Sequence, residues 1–346
     1  MNDLISVVIP AYNAAAFISK TLDTVLKQTY KNFEVIIVND GSKDNTLDII
    51  KEYEKKDNRI RVFSQENGGV SAARNTALTK VKGKYITYVD ADDSLPSDAF
   101  ETLISFMAED VDLVVGSHDE VRIGKRHHLE KPKTIEGKDI PGRFREYDPV
   151  VWWPWGKLYR TSIILDNKLS YDTNITFGED HIFNLLYAKY IKGKVIVTDK
   201  VVYNYHYIRG GLCSKYYPNM NELQIYVYYK IEDFFGGRDT TPYPIRVHYS
   251  GAYLKGLVDY YAAWLPFNKA VEKVKESFEM YAHIIDDYTI KEFFTEEEFG
   301  FYKSGDYKAL TKDYIIKNPK RTIFRKGKRT VRRFLELQQK IFLKRK

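Results

Sequence analysis

The sequence is short of several things, and each shortage closes a route. Cysteine occurs once in 346 residues, at Cys213, so no disulfide forms within the chain. A zinc site would have to draw most of its ligands from other residue types. No apolar run approaches the roughly eighteen residues of a membrane-spanning helix. The amino terminus carries Asp3 and no Lys or Arg before Lys20, so the basic start of a secretory signal is missing. The chain is therefore expected to be made and kept in the cytosol. Four common signatures are also missing. There is no G-x-x-x-x-G-K-[ST] phosphate loop and no G-x-G-x-x-G dinucleotide fingerprint. Neither an H-E-x-x-H zinc-peptidase helix nor a G-x-S-x-G nucleophile elbow occurs.

What remains is an ordinary globular composition, 44% hydrophobic and 29% charged, long enough for roughly two domains and a full core. The net charge of +7 is unevenly spread. Residues 311–346 hold fourteen Lys and Arg against Asp313 and Glu336, about +12, which leaves the body mildly acidic at about −5. A basic tail on an acidic body points to an anionic surface touched by the tail, and away from a body built to grip nucleic acid.

Along the first half, apolar runs of strand length alternate with helical periodicity. Leu4–Pro10 reads as a strand stopped by Pro10, and Ala14–Gln28 as a helix with Phe17, Ile18, Leu22, Val25 and Leu26 on one face. Phe33–Val38 is a second strand. Asp44 or Ser42 is then expected to cap a helix over Leu47–Lys55. Ile60–Phe63 is a third strand, Val70–Lys80 a small-residue helix closed by Gly83, and Tyr85–Val89 a fourth strand. Such units imply parallel strands with right-handed crossovers and helices on both faces of the sheet. The ligand crevice of such a sheet lies off the carboxyl ends of its strands, where Asn39–Ser42, Asn67–Gly69 and Asp90–Asp93 all fall. Further on, Val111–Gly116 reads as a strand, Gly124–Asp148 as irregular, Gly178–Tyr190 as a helix and Lys194–Tyr205 as a strand or hairpin. From Asn221 the chain reads as mostly helical, with a break near Gly236–Pro244.

Asp90-x-Asp92 after a buried strand is the central chemical feature. Carboxylates held together repel, and burying them uncompensated is expensive. A hard cation, Mg²⁺ or Mn²⁺, relieves that cost by taking one or two carboxylates plus phosphate oxygens. The plainer alternative is an acidic turn, with Asp93 or Ser94 capping a helix that starts near Pro96. Asp40 could equally be an ordinary Asp-Gly turn or a carboxylate facing a base or ribose. Gly68-Gly69 could be a plain turn, or could let the backbone approach a diphosphate with Arg74 adding fixed positive charge.

SVVIPAYNAAAFI (6–18), QTYKNFEVIIVNDGSKDNT (28–46), ENGGVSAARNTAL (66–78) and GKYITYVDADD (83–93) together resemble glycosyltransferase family 2. The resemblance is dense over residues 4–95 and thins through WGKLYR (155–160), FGEDHIFN (177–184) and YNYHYIRGGLCS (203–214). It implies a GT-A (Rossmann-like) α/β fold and inverting transfer of a sugar from a nucleotide donor, a UDP-sugar, with Mn²⁺ or Mg²⁺. With it go a GT-A domain over 1–215, a smaller helical domain over 216–310 and the basic amphipathic tail over 311–346. Carried over, Asp40 contacts the base, and Pro10, Tyr12, Gly69 and Ala91 line the nucleotide. Asp90 holds the ribose or a metal-bound water, Asp92 ligates the metal and Arg74 faces the nucleotide or donor sugar. Asp180 matches the catalytic base, whose bland alternative is an acid favoured at a helix start. His206 and Arg209 match a loop that closes over metal and diphosphate, with His206 on the metal. Arg209-Gly210-Gly211-Leu212 departs from the pattern, because a second basic residue is often found there.

The implied chemistry is a single displacement in which Asp180 takes the acceptor proton. A retaining route needs a second carboxylate as nucleophile, and the Glu179 side chain is expected to point away from that of Asp180. Trp152, Trp153 and Trp155 could stack on a sugar, although aromatic clusters more often form core. In the tail, Val331, Phe334 and Leu335 share a helical face bordered by Arg329, Arg332 and Arg333. That is the pattern of an interfacial helix on anionic lipid, at the inner face of the membrane, where lipid-linked or nascent glycan and teichoic-acid acceptors are handled. The competing expectations are a non-catalytic nucleotide- or carbohydrate-binding module on the same fold, and a nucleic-acid binder using the tail. The acidic body disfavours the second.

Overall fold

The computed structural model describes residues 3–121, 125–127, 132–148, 152–207 and 215–317. Arg209, Cys213 and the basic stretch beyond 317 lie outside these residues. The chain divides into two compact units, Met1–Tyr207 and Ile208–Lys346, so the division falls some residues before the 215 expected from sequence.

The first unit runs β1 (Ile5–Ala11), α1 (Ile18–Leu26), β2 (Phe33–Asp40), α2 (Thr46–Lys56), β3 (Ile60–Gln65), α3 (Val70–Leu78), β4 (Tyr85–Tyr88), α4 (Ala99–Ser105) and β5 (Val111–Glu120). It continues through β6 (Lys125–His127), β7 (Lys133–Glu136), α5 (Phe144–Tyr147), β8 (Lys157–Arg160), α6 (Thr161–Asp166), α7 (Glu179–Ala188) and β9 (Lys194–Tyr205). Among the described residues these strands form one sheet in the order β3-β2-β1-β4-β8-β5-β9-β7, with β6 paired to β5. The β3-β2-β1-β4 stretch is parallel throughout, and β5 runs parallel to β9. Strand β8 is antiparallel to both β4 and β5, and β7 is antiparallel to β9. The sheet is thus mixed and mostly parallel. Strands β1 and β2 are buried along almost their whole length, as strands covered on both faces must be.

Several sequence expectations are corrected here. Pro10 does not stop β1, which continues to Ala11. Pairing with β4 ends at Val8↔Tyr88 while pairing with β2 runs on to Ala11↔Asn39. Pro10 therefore sits beyond the stretch that β4 flanks, where a missing N–H is tolerated. Helix α3 ends at Leu78, so Gly83 does not close it. Gly83 is needed for another reason: a Cβ there would lie 2.6 Å from the Ser6 nitrogen and 2.7 Å from the Leu4 carbonyl oxygen. The stretch expected to be irregular before Asp148 carries β6, β7 and α5. Strand β7 lies at the edge of the sheet, and charged residues interspersed along the stretch hide strand periodicity in the sequence.

The second unit is helical: α8 (Met220–Phe234), α9 (Tyr243–Trp264), α10 (Phe267–Tyr281), α11 (Asp287–Phe293), α12 (Glu296–Ser304) and α13 (Tyr307–Lys317). Helix α9 is buried nearly all round, with Tyr249, Tyr253, Leu254, Leu257, Tyr260 and Tyr261 inside. A helix apolar on every side belongs at the centre of its unit. Asp286 caps α11, and Thr295 with Glu298 forms a capping box on α12. The tail expected from residue 311 therefore begins inside α13. Among the described residues no helix is long and apolar enough to cross a membrane.

Candidate active site

The carboxyl ends of β1 to β4 bring the polar clusters of the first half together. Strand β2 extends two residues further than its apolar run, so Asn39 and Asp40 belong to it, and Asp40 pairs in register with Gln65 of β3. The buried Asp40 carboxylate accepts from Gln65 Nε2 at 2.8 Å, Asn67 Nδ2 at 3.2 Å, Gly68 N at 2.9 Å and Gly69 N at 2.8 Å. Two carboxylate oxygens have about four acceptor positions, and all are used. Asp40 and the Gly68-Gly69 amides thus satisfy one another at the start of α3. Both amides are engaged by Asp40, at a turn for which the sequence leaves a plain helix start and a diphosphate approach equally open. Pro10, one residue before the end of β1, is half-buried, and the Tyr12 ring just beyond the strand is 48% exposed.

The turn after β4 is stitched to the end of β9. Tyr203 Oη donates to Asp93 Oδ2 at 2.7 Å and accepts from Asp90 N at 3.0 Å. His206 N donates to the other Asp93 oxygen at 2.6 Å, and Ser94 exchanges backbone hydrogen bonds with Asn204. Asp93 and Ser94 therefore do not cap a helix; α4 starts later, after Asp98. The His206 ring bonds Ser94 Oγ through Nε2 at 2.8 Å, and burial pushes its pKa down. One ring nitrogen of His206 is thus engaged by a serine beside the Asp90–Asp93 turn. The Ala91 carbonyl accepts from Thr21 Oγ1 at 2.9 Å, fixing the middle of the turn to α1.

Burial pushes the Asp92 carboxyl up to about 6, and the neighbouring Asp90 adds to this. Asp93 is raised further, first by burial and then by Asp90 and Asp92. A crowded set of oxygen donors suits Mg²⁺ or Mn²⁺. Among the described residues no group of three or more His, Cys, Asp or Glu is arranged to hold a metal alone. Asp92 and Asp90 fit a cation that takes its other ligands from phosphate oxygens and water.

Arg74 occupies the middle of the site. It is 3% exposed, and its guanidinium reaches Asp180 Oδ1 at 2.5 Å, Asp90 Oδ1 at 3.2 Å and Glu179 Oε1 at 3.7 Å. It also lies 5.2 Å from the centroid of the Tyr171 ring. Burial opposes its charge, but Asp180 and Asp90 outweigh burial and leave its pKa above the ordinary value. Among the described residues the partners of the Arg74 charge are carboxylates of the site itself. Glu179 is corrected: it converges with Asp180 on one guanidinium. Both lie in the first turn of α7, which Gly178 opens at φ +87. Asp180 is raised well above the carboxylate range by burial, against the pull of Arg74.

The three tryptophans pack mainly on the protein. Trp152 stacks on His181 at 4.4 Å and donates to Asp148, which also bonds His181 at 2.5 Å. Trp153 stacks on Trp155, and Trp155 on Tyr203. Sequence reasoning assigned no role to Tyr203, Asn184 or Lys157, although the stretches of thinner resemblance at 155–160, 177–184 and 203–214 contain them.

A family model for glycosyl transferase family 2 matches residues 6–173. The chain is 32% identical over 230 residues to the uncharacterized glycosyltransferase EpsJ of Bacillus subtilis, covering 64% of this chain and 67% of EpsJ. It is 33% identical over 218 residues to the poly(ribitol-phosphate) beta-glucosyltransferase of Bacillus spizizenii, covering 59% of this chain but only 32% of that protein. Among solved structures it resembles residues 1–349 of S. aureus TarS in complex with UDP-GlcNAc, with a TM-score of 0.68 and 19% identity over 90% of this chain and 91% of that one. At that identity the likeness speaks for the GT-A fold alone.

Proposed function

We propose, because this chain belongs to glycosyltransferase family 2, that it transfers a sugar with inversion from a UDP-sugar to a hydroxyl of a glycan, teichoic-acid or lipid-linked acceptor. One observation supports this above others. Arg74 joins Asp90, on the turn after β4, to Asp180, 106 residues further along at the start of α7. A carboxylate of the donor turn and a candidate base thus share one buried cation at the strand ends. The UDP-GlcNAc bound by TarS favours a uridine donor, and the poly(ribitol-phosphate) acted on by the Bacillus spizizenii relative favours a cell-surface polymer as acceptor.

In this reading Asp180 takes the proton of the acceptor hydroxyl as that oxygen bonds to the anomeric carbon. The bond from that carbon to the diphosphate breaks on the opposite face, and its electron pair leaves with the diphosphate. Glu179 is held on Arg74 and is not presented as a nucleophile, which favours one displacement over two. A divalent cation held by Asp92 with Asp90 would, when bound, neutralise charge on the departing diphosphate. The exposed Tyr12 ring is suited to stack on the base, with Pro10 beside it and Asp40 holding the Gly68-Gly69 turn. Arg209 and the tail complete the proposal as a diphosphate contact and an attachment to the inner, anionic membrane surface.

Calorimetric titration with UDP, with and without Mn²⁺, tests the donor site. Mn²⁺-dependent binding that Asp92→Ala abolishes is the expected result. Absence of UDP binding under both conditions would overturn the uridine donor.

A further inference from the structure

Lys157 opens β8 with its side chain fully buried. Its ammonium donates to the Trp153 carbonyl and, at 3.4 Å, to the Trp155 carbonyl, and lies 5.6 Å from the Trp153 ring centroid. Among the described residues no carboxylate lies within ion-pair distance of it. Carbonyls and a ring face compensate a buried ammonium poorly, so a lysine here needs a further reason.

The reason lies in what shares its acceptor. The Trp153 carbonyl that Lys157 binds also accepts from Asn184 Nδ2 at 3.4 Å, and the same amide donates to the Asp180 carbonyl at 2.8 Å. Tyr159 Oη fixes Asn184 from the other side at 2.7 Å. One amide therefore ties the backbone gripped by Lys157 to the residue read above as the base. Charge points the same way. Asp90, Glu179 and Asp180 surround Arg74, so one cation serves three carboxylates.

We propose that Lys157 is a positioning residue for the transfer reaction, a second buried cation that holds the 153–155 backbone against α7 and favours the anionic form of Asp180. The inference rests on Asp180 being that base. The groups facing Asp180 are Arg74 from α3, Asp90 after β4, Glu179 on its own helix and Lys157 from β8. The buried phenols Tyr88, Tyr159 and Tyr171 feel its charge as well. Burial lowers Lys157 well below the usual lysine range and Asp180 opposes this only in part. On Asp180 itself burial acts most strongly and upward, Arg74 opposes it, and Lys157 adds a smaller pull toward the ionised form. Of the two cations, Lys157 is the one not bonded to another carboxylate.

The test is a pH profile of kcat for UDP release, using whichever UDP-sugar in a panel of UDP-glucose, UDP-GlcNAc, UDP-galactose and UDP-GalNAc the wild type turns over. Lys157→Met keeps the stem volume and removes the charge. It is expected to move the acid limb upward by about one pH unit, whereas Lys157→Arg leaves the limb near its original place. A limb that stays put in K157M, however slow the enzyme, overturns the proposal, since a purely structural lysine lowers the rate without moving the limb. If K157M is too slow to profile, K157A is assayed with added propylamine. Recovery that rises with the protonated amine supports the proposal, and absence of recovery overturns it. Wild type that turns over none of the four sugars would instead count against the enzymatic reading itself, and UDP affinity measured alongside shows whether the donor site has survived each substitution.

Discussion

Arg74 explains how four charged side chains remain together in a partly buried site. Carboxylates and a guanidinium are each costly to bury alone, and mutual pairing with added hydrogen bonds offsets that cost. Asp180 accepts one of those bonds and, as the base, should matter for chemistry and little for donor affinity. Asp180→Asn is expected to lower kcat by about 10²–10⁴-fold with UDP binding retained, which steady-state kinetics and calorimetry on one preparation will check. Asp92 has the opposite economy, because its neighbours do not relieve it. An ordinary aspartate near 3.8 is raised here to about 6, so between those values the folded state holds more protons than the unfolded state. Stability contributed by the protonated carboxyl is thus lost as pH rises through that window. Asp92→Asn should be nearly neutral for stability at pH 4 and stabilising at pH 7, as urea unfolding at the two values will show. Equal effects at both pH values would mean that Asp92 is not strained by its surroundings. Such strain, retained at a working position, is the usual trade of stability for function. At this scale the sequence displayed residue types but not directions. Asp90 and Asp92 stand out by their spacing after a strand, and Asp180 is pointed to by the resemblance alone. The inward turn of Arg74 and the convergence of Glu179 were not legible, because both depend on α3 and α7 meeting across about a hundred residues of chain.

The strands and helices place these groups through their ends. Apolar β-branched runs fixed β1, β2 and β4 to within two residues, since a strand buried on both faces leaves an uninterrupted apolar signature. The ends carry the chemistry and were less visible. Asn39 and Asp40 look like a turn in sequence, yet they continue the ladder because Asp40 has Ser64 and Gln65 opposite Asn39 and itself. The start of α7 depends on Gly178 at φ +87, a conformation that strains any residue with a Cβ. Gly178→Ala is expected to cost about 1–2 kcal/mol in urea unfolding. It should also lower kcat more than UDP affinity, because the first turn of α7 aims Asp180 and Glu179 at Arg74. Equal losses in both would place Gly178 in folding alone. Strands β6 and β7 were missed for the converse reason: short, charged and at the rim of the sheet, they show no apolar alternation.

For the molecule as a whole, charge is the property that residue contacts do not explain. The chain carries +7, and the fourteen basic residues of 311–346 more than account for it. Most of that stretch lies beyond α13, the last described helix, which itself ends at Lys317. A polybasic segment gains about 1 kcal/mol per Lys or Arg near an anionic leaflet, and salt screens that gain over roughly 10 Å at 0.1 M. Apolar residues interleaved as Val331, Phe334 and Leu335 add a contribution that salt does not screen. The intact chain should therefore sediment with phosphatidylglycerol-containing vesicles at low salt and much less with phosphatidylcholine alone. Partial retention at high salt is expected from the apolar share, and truncation after Asn318 should abolish binding while leaving UDP affinity in place. Binding that survives the truncation would put the lipid contact on the acidic body, where the charge balance is wrong for it. Binding to DNA of equal charge density with the same salt dependence would make the tail a general polyanion contact and remove the membrane from the proposal.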